Sequence, residues 1–160
     1  MIQLDDLDRA ILRLLKEDAR LTISELAEKL DRPESTIHFR IKKLLEKGAI
    51  DHYTILLGED LRPKKTALVV LQAETPIIED FLERYVNHIM RTLSMISNVL
   101  WVAKSGKDTV IALIGGEDDE NLSEFIEENI RTLPTLKSVY VYKIDEIKKG
   151  EDLIGFLSNI

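Results

Sequence analysis

One segment of the sequence carries hydroxyl, aromatic and basic side chains at spacings that suit contact with double-stranded DNA. When residues 35–47 are projected as a helix at about 100° per residue, one side is aliphatic and holds Ile37, Ile41, Leu44 and Leu45. The opposite side presents a stripe at steps of four, three and four, made of Thr36, Arg40, Lys43 and Lys47. The stripe is flanked by Ser35, Phe39 and Lys42, and its border with the aliphatic side is occupied by His38. The segment therefore predicts a helix that is anchored by one side and displays a cationic side.

The side chains away from the aliphatic side match different chemical groups of a duplex. Short hydroxyls near a helix start reach base edges or phosphates, lysines bind phosphates, and Arg40 can fork onto guanine. Phe39 lies off the aliphatic side and can contact a thymine methyl group. The candidate DNA-contacting residues are Ser35, Thr36, His38, Phe39, Arg40, Lys42, Lys43 and Lys47. Replacing Arg40 by Ala is then expected to cost about 1–3 kcal/mol at one base position, and Lys47→Ala to weaken binding evenly across sequences.

Two plainer interpretations of this segment stay open. A charged stripe is commonly the solvated side of a surface helix, and His38 suits a structural partner as well as DNA. The overall charge does not decide, because the 160 residues hold 22 Lys and Arg against 29 Asp and Glu, a net charge of −7. Residues 32–47 nevertheless hold five basic residues against two acidic ones. The placement of positive charge matters more for DNA than the total.

The surrounding residues predict two preceding helices and a following strand. The boundary signals are a cap at Asp5 or Asp6, a capping box of Thr22 with Glu25, a break at Asp31-Arg32-Pro33 and a stop at Gly48. Residues 50–57 are predicted to follow as a strand. The segment 35–47 is thus predicted as the third of three short helices, followed by a strand.

The remainder alternates between strands and helices after a polar stretch at 58–65, which predicts a linker. The predicted strands are 66–73, 99–103, 109–114 and 139–144, and the helices are 76–97 and about 118–133, the first capped by Thr75 and Pro76. The order β-α-β-β-α-β is the ferredoxin-like arrangement. We therefore predict an α+β protein with a three-helix domain at 1–57, a ferredoxin-like domain at 66–147 and a tail at 148–160.

Both faces of the predicted sheet are mainly apolar, although two helices can cover only one of them. An open apolar face is unfavourable in water, and a second copy packed sheet to sheet would cover it. The alternative is that the long helix 76–97 or the tail folds over this face. With a second copy, a charge at Val141 or Tyr140 is expected to separate the subunits. Trp101 is expected in the sheet core, with the wall of a pocket as the alternative.

The first 57 residues resemble the DNA-binding domain of the Lrp/AsnC family of transcription regulators. The matching motifs are Leu4-Asp5 with Asp8, Asp18-Ala19-Arg20, Glu25-Leu26-Ala27, Ser35-Thr36-Ile37 with Arg40-Ile41, and Glu46-Lys47-Gly48-Ala49-Ile50. The βαββαβ half looks like that family's ligand-binding and dimerisation domain. The resemblance implies that residues 1–57 are a winged helix-turn-helix reader of DNA. It also implies a homodimer that often assembles into higher oligomers, and an amino acid or similar small molecule as effector.

The loop at 105–108 matches a motif of that family, and the turn at 31–33 departs from the family pattern. The family's effector loop commonly reads Thr-Gly with an Asp two residues after the Gly, and Ser105, Gly106 and Asp108 match this pattern with Ser in place of Thr. The resemblance thus implies effector binding at these residues, while an ordinary hairpin turn explains them equally well. Asp31 and Pro33 replace the usual Gly and Ser between the second and third helices; Asp tolerates a left-handed φ and Pro can open a helix.

The sequence offers no convincing catalytic or metal site. Three scattered histidines and no cysteine argue against histidine and thiolate metal sites and against a cysteine nucleophile. We expect no catalytic residue and no cofactor, and, with neither a signal peptide nor a membrane segment, a cytoplasmic transcription regulator. Two alternatives remain: an enzyme of the same architecture similar to the sirohaem decarboxylases, and a ligand sensor that does not bind DNA.

Overall fold

The computed structural model describes residues 2–74, 79–150 and 152–158, and the chain divides into two compact units, residues 1–55 and 56–160. The first unit contains three helices, α1 (Asp6–Glu17), α2 (Ile23–Leu30) and α3 (Glu34–Glu46). The stretch 58–65, predicted as a linker, lies in the second unit and includes a 3₁₀ turn at Glu59–Leu61. The described helices include none that is both long and apolar enough to cross a membrane.

Capping boxes start the first two helices, whereas the sequence predicts a box only at Thr22 and, for the first helix, a cap at Asp5 or Asp6. At α1 the cap is Asp5, whose Oδ1 accepts from the Asp8 backbone N–H at 2.9 Å, while the Asp8 carboxylate accepts from the Asp5 N–H at 3.3 Å. Thr22 and Glu25 make the same reciprocal pair at α2. Each box satisfies backbone donors that a helix start leaves without intrahelical partners.

The turn between α2 and α3 uses the left-handed conformation that Asp31 was expected to tolerate. Asp31 has φ +50° and closes α2, and Pro33 is the residue that immediately precedes α3. Gly48 follows α3 with φ +67°, a conformation that glycine adopts without steric cost. The turn prediction is therefore confirmed without the glycine that its position would favour.

Helix packing in the first unit buries aliphatic residues from all three helices. The buried side chains are Ile11, Leu15, Leu26, Ala27, Ile37, Leu44 and Ile50. Leu45, predicted on the aliphatic side of α3, is 42% exposed. The strand predicted at 50–57 is wrong, because these residues form no strand in the structure. A segment becomes a strand only where a neighbouring strand takes up its backbone hydrogen bonds.

The second unit is a four-stranded antiparallel sheet with two helices packed on one face. Its strands are β1 (Lys65–Ala73), β2 (Val99–Ser105), β3 (Thr109–Gly116) and β4 (Leu136–Ile144), in the spatial order β2-β3-β1-β4. Its helices are α4 (Glu79–Ser94), α5 (Asp119–Phe125), which continues as a π-helical turn at Ile126–Ile130, and α6 (Asp152–Leu157). The predicted βαββαβ order is confirmed; the predicted cap at Thr75 and Pro76 lies outside the described residues.

The tail forms helix α6, which is docked rather than free. The Leu57 backbone N–H donates to the Gly155 carbonyl at 3.0 Å, and Arg62 Nε donates to the Leu57 carbonyl at 2.7 Å. A Cβ atom at position 155 would lie 2.7 Å from the Leu57 carbonyl oxygen and 2.5 Å from Arg62 Nε. Glycine is therefore required there by close approach of the chain.

Strand register decides which side chains face the helices. Val69 pairs with Ala112 and Val141 on the face that α4 and α5 cover. The charge proposed above for Val141 would therefore disturb the core of this unit, whereas Tyr140 lies on the other face, opposite Val70. We call this other face the open face; its residues on β1, β3, β4 and β2 include Leu68, Val70, Ile111, Leu113, Tyr140, Tyr142 and Trp101.

The open face stays accessible in the single chain. Trp101 is 44% exposed, Tyr140 52% and Tyr142 57%, so the expectation that Trp101 packs in the sheet core is wrong. The physical reason is that α4 packs on the opposite face, through side chains such as Val86 and Leu93. The long helix, one of the two segments that were alternatives to a second copy, therefore does not cover the open face.

Candidate nucleic-acid interface and effector loop

Helix α3 is anchored by two buried residues and presents the residues opposite them. Ile37 and Leu44 are fully or almost fully buried. Glu34, Leu45 and Glu46 are exposed on α3, and the candidate DNA-contacting residues exposed there at helical spacing are Ser35, His38, Phe39, Lys42 and Lys43. We call these five residues the α3 outer face. Lys47, at the C-terminal cap of the helix, is also exposed.

The outward direction of α3 differs from the predicted one. Thr36 and Arg40, expected in the middle of the cationic stripe, are half-buried at its edge, and His38, expected beside the core, is exposed. The helix is rotated because packing uses Ile37, Ile41 and Leu44 and leaves Leu45 largely outside. The outer face is consequently centred near Phe39 rather than Arg40.

The charged side chains of the outer face are only lightly engaged. Lys43 Nζ lies 5.4 Å from the centre of the Phe39 ring, and Lys42 Nζ lies 3.9 Å from Glu46 Oε1 between two exposed side chains. Exposed contacts of this kind contribute little stability. The two lysines can therefore exchange these contacts for phosphates at small cost.

Arg40 is engaged with the start of α1. Its Nη1 atom donates to Asp5 Oδ2 at 2.5 Å and to Asp8 Oδ1 at 3.2 Å. The hydrogen bond to Asp5, with the attraction of both carboxylates, raises the pKa of the Arg40 guanidinium further above its usual value. The hydrogen bond from the Asp8 backbone N–H lowers the pKa of the Asp5 carboxyl, and the hydrogen bond and charge of Arg40 lower it further. Asp5 and Asp8 were identified from the sequence only as a helix cap and a family motif.

A second contact ties α3 to α2. Ser24 Oγ donates to Glu34 Oε1 at 2.7 Å, joining α2 to the first residue of α3 across the turn. Nothing in the sequence spacing identifies this pair, because its geometry depends on the left-handed turn between the two helices.

The candidate effector loop joins β2 to β3. Gly106 has φ +66°, and Ser105 and Gly106 are exposed. The Asp108 carboxylate accepts from Gln72 Nε2 at 3.2 Å and from the Thr109 hydroxyl at 2.9 Å. These hydrogen bonds, that from Gln72 first, lower the pKa of the Asp108 carboxyl. The hairpin thus needs Gly106 for its turn and uses Asp108 to fasten the turn to β1.

A cleft of about 430 Å³ lies at the other end of β1 and was not predicted. Its lining mixes basic residues, acidic residues and aliphatic side chains, among them Arg62, Lys64, Thr66, Ile144, Glu146 and Ile154. It is separate from the predicted effector residues. Across the three described ranges, no group of three or more His, Asp or Glu side chains is arranged to hold a metal ion.

Two family descriptions match the two units. Residues 4–51 match a winged helix-turn-helix DNA-binding family, and residues 63–157 match the family described as the PF0864 C-terminal dimeric alpha+beta barrel domain. An HTH-type transcriptional regulator of Pyrococcus furiosus, PF0864, is 62% identical over 159 residues, which cover 99% of this chain and 98% of the relative. An HTH-type transcriptional regulator of Pyrococcus abyssi is 60% identical over 157 residues, covering 98% and 97%.

Solved structures agree with these relatives. The transcriptional regulatory protein PF0864 from Pyrococcus furiosus, a member of the AsnC family, has a TM-score of 0.95 at 61% identity and covers 99% of this chain and 100% of that one. The regulator NMB0573 of Neisseria meningitidis, solved with L-Met, has a TM-score of 0.77 at 21% identity over 92% and 94%, and shares the fold. Matching sequence, DNA-binding unit and sheet unit place this chain in the AsnC/Lrp family of HTH-type, DNA-binding transcriptional regulators.

Proposed function

We propose that the chain binds a specific DNA sequence as a homodimer, with the α3 outer face in the major groove. The observation that carries this proposal is the exposure of Phe39, Lys42 and Lys43 on a helix whose opposite side is buried. Such a helix enters the major groove, which is wide enough for it, and presents side chains to base edges and phosphates together.

The roles of the individual residues follow from their position on α3. Lys42, Lys43 and Lys47 bind phosphates, and Ser35 and His38 lie near the helix start, where recognition helices contact bases. Phe39, 58% exposed at the centre of the outer face, contacts a thymine methyl group. Thr36, at the edge of this face, serves a phosphate.

The dimer forms through the open face of the sheet. Its support is the family description of this domain as dimeric, together with three aromatic side chains that are about half exposed on an uncharged face. Two-fold packing would present two copies of α3 to half-sites one DNA turn, about 34–36 Å, or a multiple of it apart. Higher oligomers would use other surfaces of the same domain.

An amino acid or similar small molecule acts as effector at the β2–β3 hairpin. The L-Met complex of the Neisseria regulator supports the ligand class, and Ser105 and Gly106 offer an exposed hydroxyl and backbone amides. Asp108 would support the loop through Gln72 and Thr109. Thermal unfolding of the protein, measured with each amino acid in turn, tests this proposal. We expect one amino acid to raise the melting temperature of the wild type and to leave that of Gly106→Val unchanged.

The chain acts as a regulator in the cytoplasm and not as an enzyme, in agreement with relatives that are named transcriptional regulators. Selection of binding sites from random duplexes tests the main proposal. We expect a roughly palindromic site, selected by the wild-type protein and by Arg13→Ala on α1, and lost in Phe39→Ala with Lys43→Ala. If no DNA sequence is selected, the ligand sensor that does not bind DNA is favoured. A purified protein with a Soret absorption band would favour the enzyme similar to the sirohaem decarboxylases.

A further inference from the structure

We propose that Arg40 is a positioning residue that sets the rotation of α3, and that it does not read a base. This inference rests on the proposed function. It reverses the role that its residue type and helical spacing predict, because arginine on a recognition helix usually suits guanine.

The contacts of Arg40 form an interlocked group. One guanidinium nitrogen bonds both carboxylates, and each carboxylate also accepts a backbone N–H of the other's residue in the capping box. The Asp8 side chain is 14% exposed and the Arg40 side chain 30%, so the ion pair between them is partly shielded from water. The group joins Arg40 to Asp5 and Asp8, which precede it in the sequence by 35 and 32 positions.

The position of this group explains how it holds α3. Arg40 lies one turn from Ile37 and one turn from Leu44, the two buried anchors of the helix. Burial of Ile37 and Leu44 determines which side of the helix faces inward, and it leaves Arg40 at the edge of the packed side. A charge-assisted hydrogen bond at that edge is directional, so it restricts the remaining rotation of the helix and with it the direction of the outer face.

Release of Arg40 to a guanine would carry an electrostatic penalty. The two carboxylates would lose their counter-charge beside a polyanion, and unpaired like charges across an interface are strongly unfavourable. Arg40 in its observed place instead neutralises them. The same contact therefore aligns the outer face and lowers the repulsion between α1 and DNA.

The double variant Asp5→Asn with Asp8→Asn separates the two roles. Asparagine caps helices as well as aspartate, so the capping box can persist while the charges on Arg40's partners are removed. The matched control is Asp6→Asn with Glu17→Gln, which makes the same change of charge on exposed residues of the same helix. Affinities are measured by fluorescence anisotropy at 25 °C on proteins shown by circular dichroism to be fully folded.

We expect the Asp5/Asp8 variant to bind the selected duplex and a random duplex more weakly than the control, both by about three- to tenfold. Arg40→Ala should show the same even loss, and Arg40→Lys should recover part of it. Tighter binding of the selected duplex by the Asp5/Asp8 variant than by the control would overturn the inference. So would the loss of a single guanine preference in Arg40→Ala.

Hydrogen–deuterium exchange without DNA makes the inference independent of the operator. Amides of residues 34–46 should exchange faster in the Asp5/Asp8 variant than in the control, and equal exchange would overturn the positioning role. If the wild-type protein selects no DNA sequence, the proposed function fails, while the exchange result still decides whether Arg40 holds α3.

Discussion

The α3 outer face and the open face of the sheet are both exposed surfaces suited to binding a partner, and they differ in chemistry. The outer face surrounds one aromatic ring with lysines, whereas the open face carries Trp101, Tyr140 and Tyr142 without a charged residue at its described strand positions. Lysines keep their hydration and attract a polyanion that is itself hydrated. Aromatic side chains contribute most binding free energy where they are buried away from water, as between two copies of a chain.

This difference also explains how an acidic protein can bind DNA. The net charge of −7 is spread over the whole chain, but the residues that would approach a duplex are locally basic. Because salt at physiological strength screens charges beyond about 8 Å, a local surface rather than the total decides the contact.

A charge on the open face should have the largest effect. Val70→Asp places a carboxylate beside Ile111 and Tyr140, and without a counter-charge in a dry interface it should cost more than about 3 kcal/mol of association free energy. Sedimentation should show the monomer mass at concentrations where the wild type is a dimer. Phe81→Asp, at an exposed aromatic residue of α4, is the control and should leave the mass unchanged. A dimeric Val70→Asp protein would remove the open face from the interface.

Removal of one lysine from the outer face should act evenly across DNA sequences. Lys43→Ala deletes a phosphate contact, so the slope of log affinity against log salt concentration should fall by about 1. Arg13→Ala, an exposed basic residue of α1, should keep the wild-type slope. Equal slopes for Lys43→Ala and the wild type would place Lys43 away from the duplex.

The turn before α3 should affect DNA presentation and leave the dimer intact. Asp31→Ala puts a residue without a polar side chain at φ +50° and should destabilise the first unit by about 1–2 kcal/mol. Asp31→Gly should restore or exceed wild-type stability. Calorimetric unfolding measures both variants, and an unchanged sedimentation mass confirms that the sheet unit is unaffected. Stability of Asp31→Ala equal to that of the wild type would contradict the observed turn.

A single methyl group tests the aromatic residue of the outer face. Replacing thymine by uracil in the selected duplex should cost about 0.8 kcal/mol, roughly fourfold in affinity, at the position that Phe39 contacts. In Phe39→Ala the same replacement should have no effect. A wild-type protein indifferent to every such replacement would exclude the thymine contact while leaving DNA binding possible.

Acid should remove a small contribution from each unit. Asp5 beside Asp8 and Arg40, and Asp119 beside Lys143 and Lys65, both have a pKa held below the usual value. Their folded-state pKa lies below the unfolded one, so their stabilisation is present at neutral pH and is lost as pH falls through the folded value. Melting temperatures of the wild type and of Asp5→Asn or Asp119→Asn should therefore differ at pH 7, and the difference should shrink as the pH falls below the ordinary aspartate pKa of about 3.9. A constant difference would contradict the lowered pKa.

Much of the fold was predictable because its signals are local. The capping boxes at Asp5 and Thr22 involve residues three apart, and Asp31 and Gly48 adopt left-handed conformations that depend on residue type. The alternation within each strand and the order βαββαβ are likewise readable along the chain. The eight candidate DNA-contacting residues lie on or beside α3, as their spacing predicts, while their contact with DNA stays a prediction.

The sequence by itself determined the three helices of the first unit, the βαββαβ order of the second, the caps at Asp5 and Thr22, and two kinds of surface, one cationic and one apolar. Only the tertiary structure decided that Arg40 turns toward Asp5 and Asp8, that Trp101 lies on the open face, and that residues 50–57 form no strand. The reason is physical: a helix cap depends on neighbours in the chain, whereas the rotation of a helix and the exposure of a sheet face depend on packing between segments distant in the sequence.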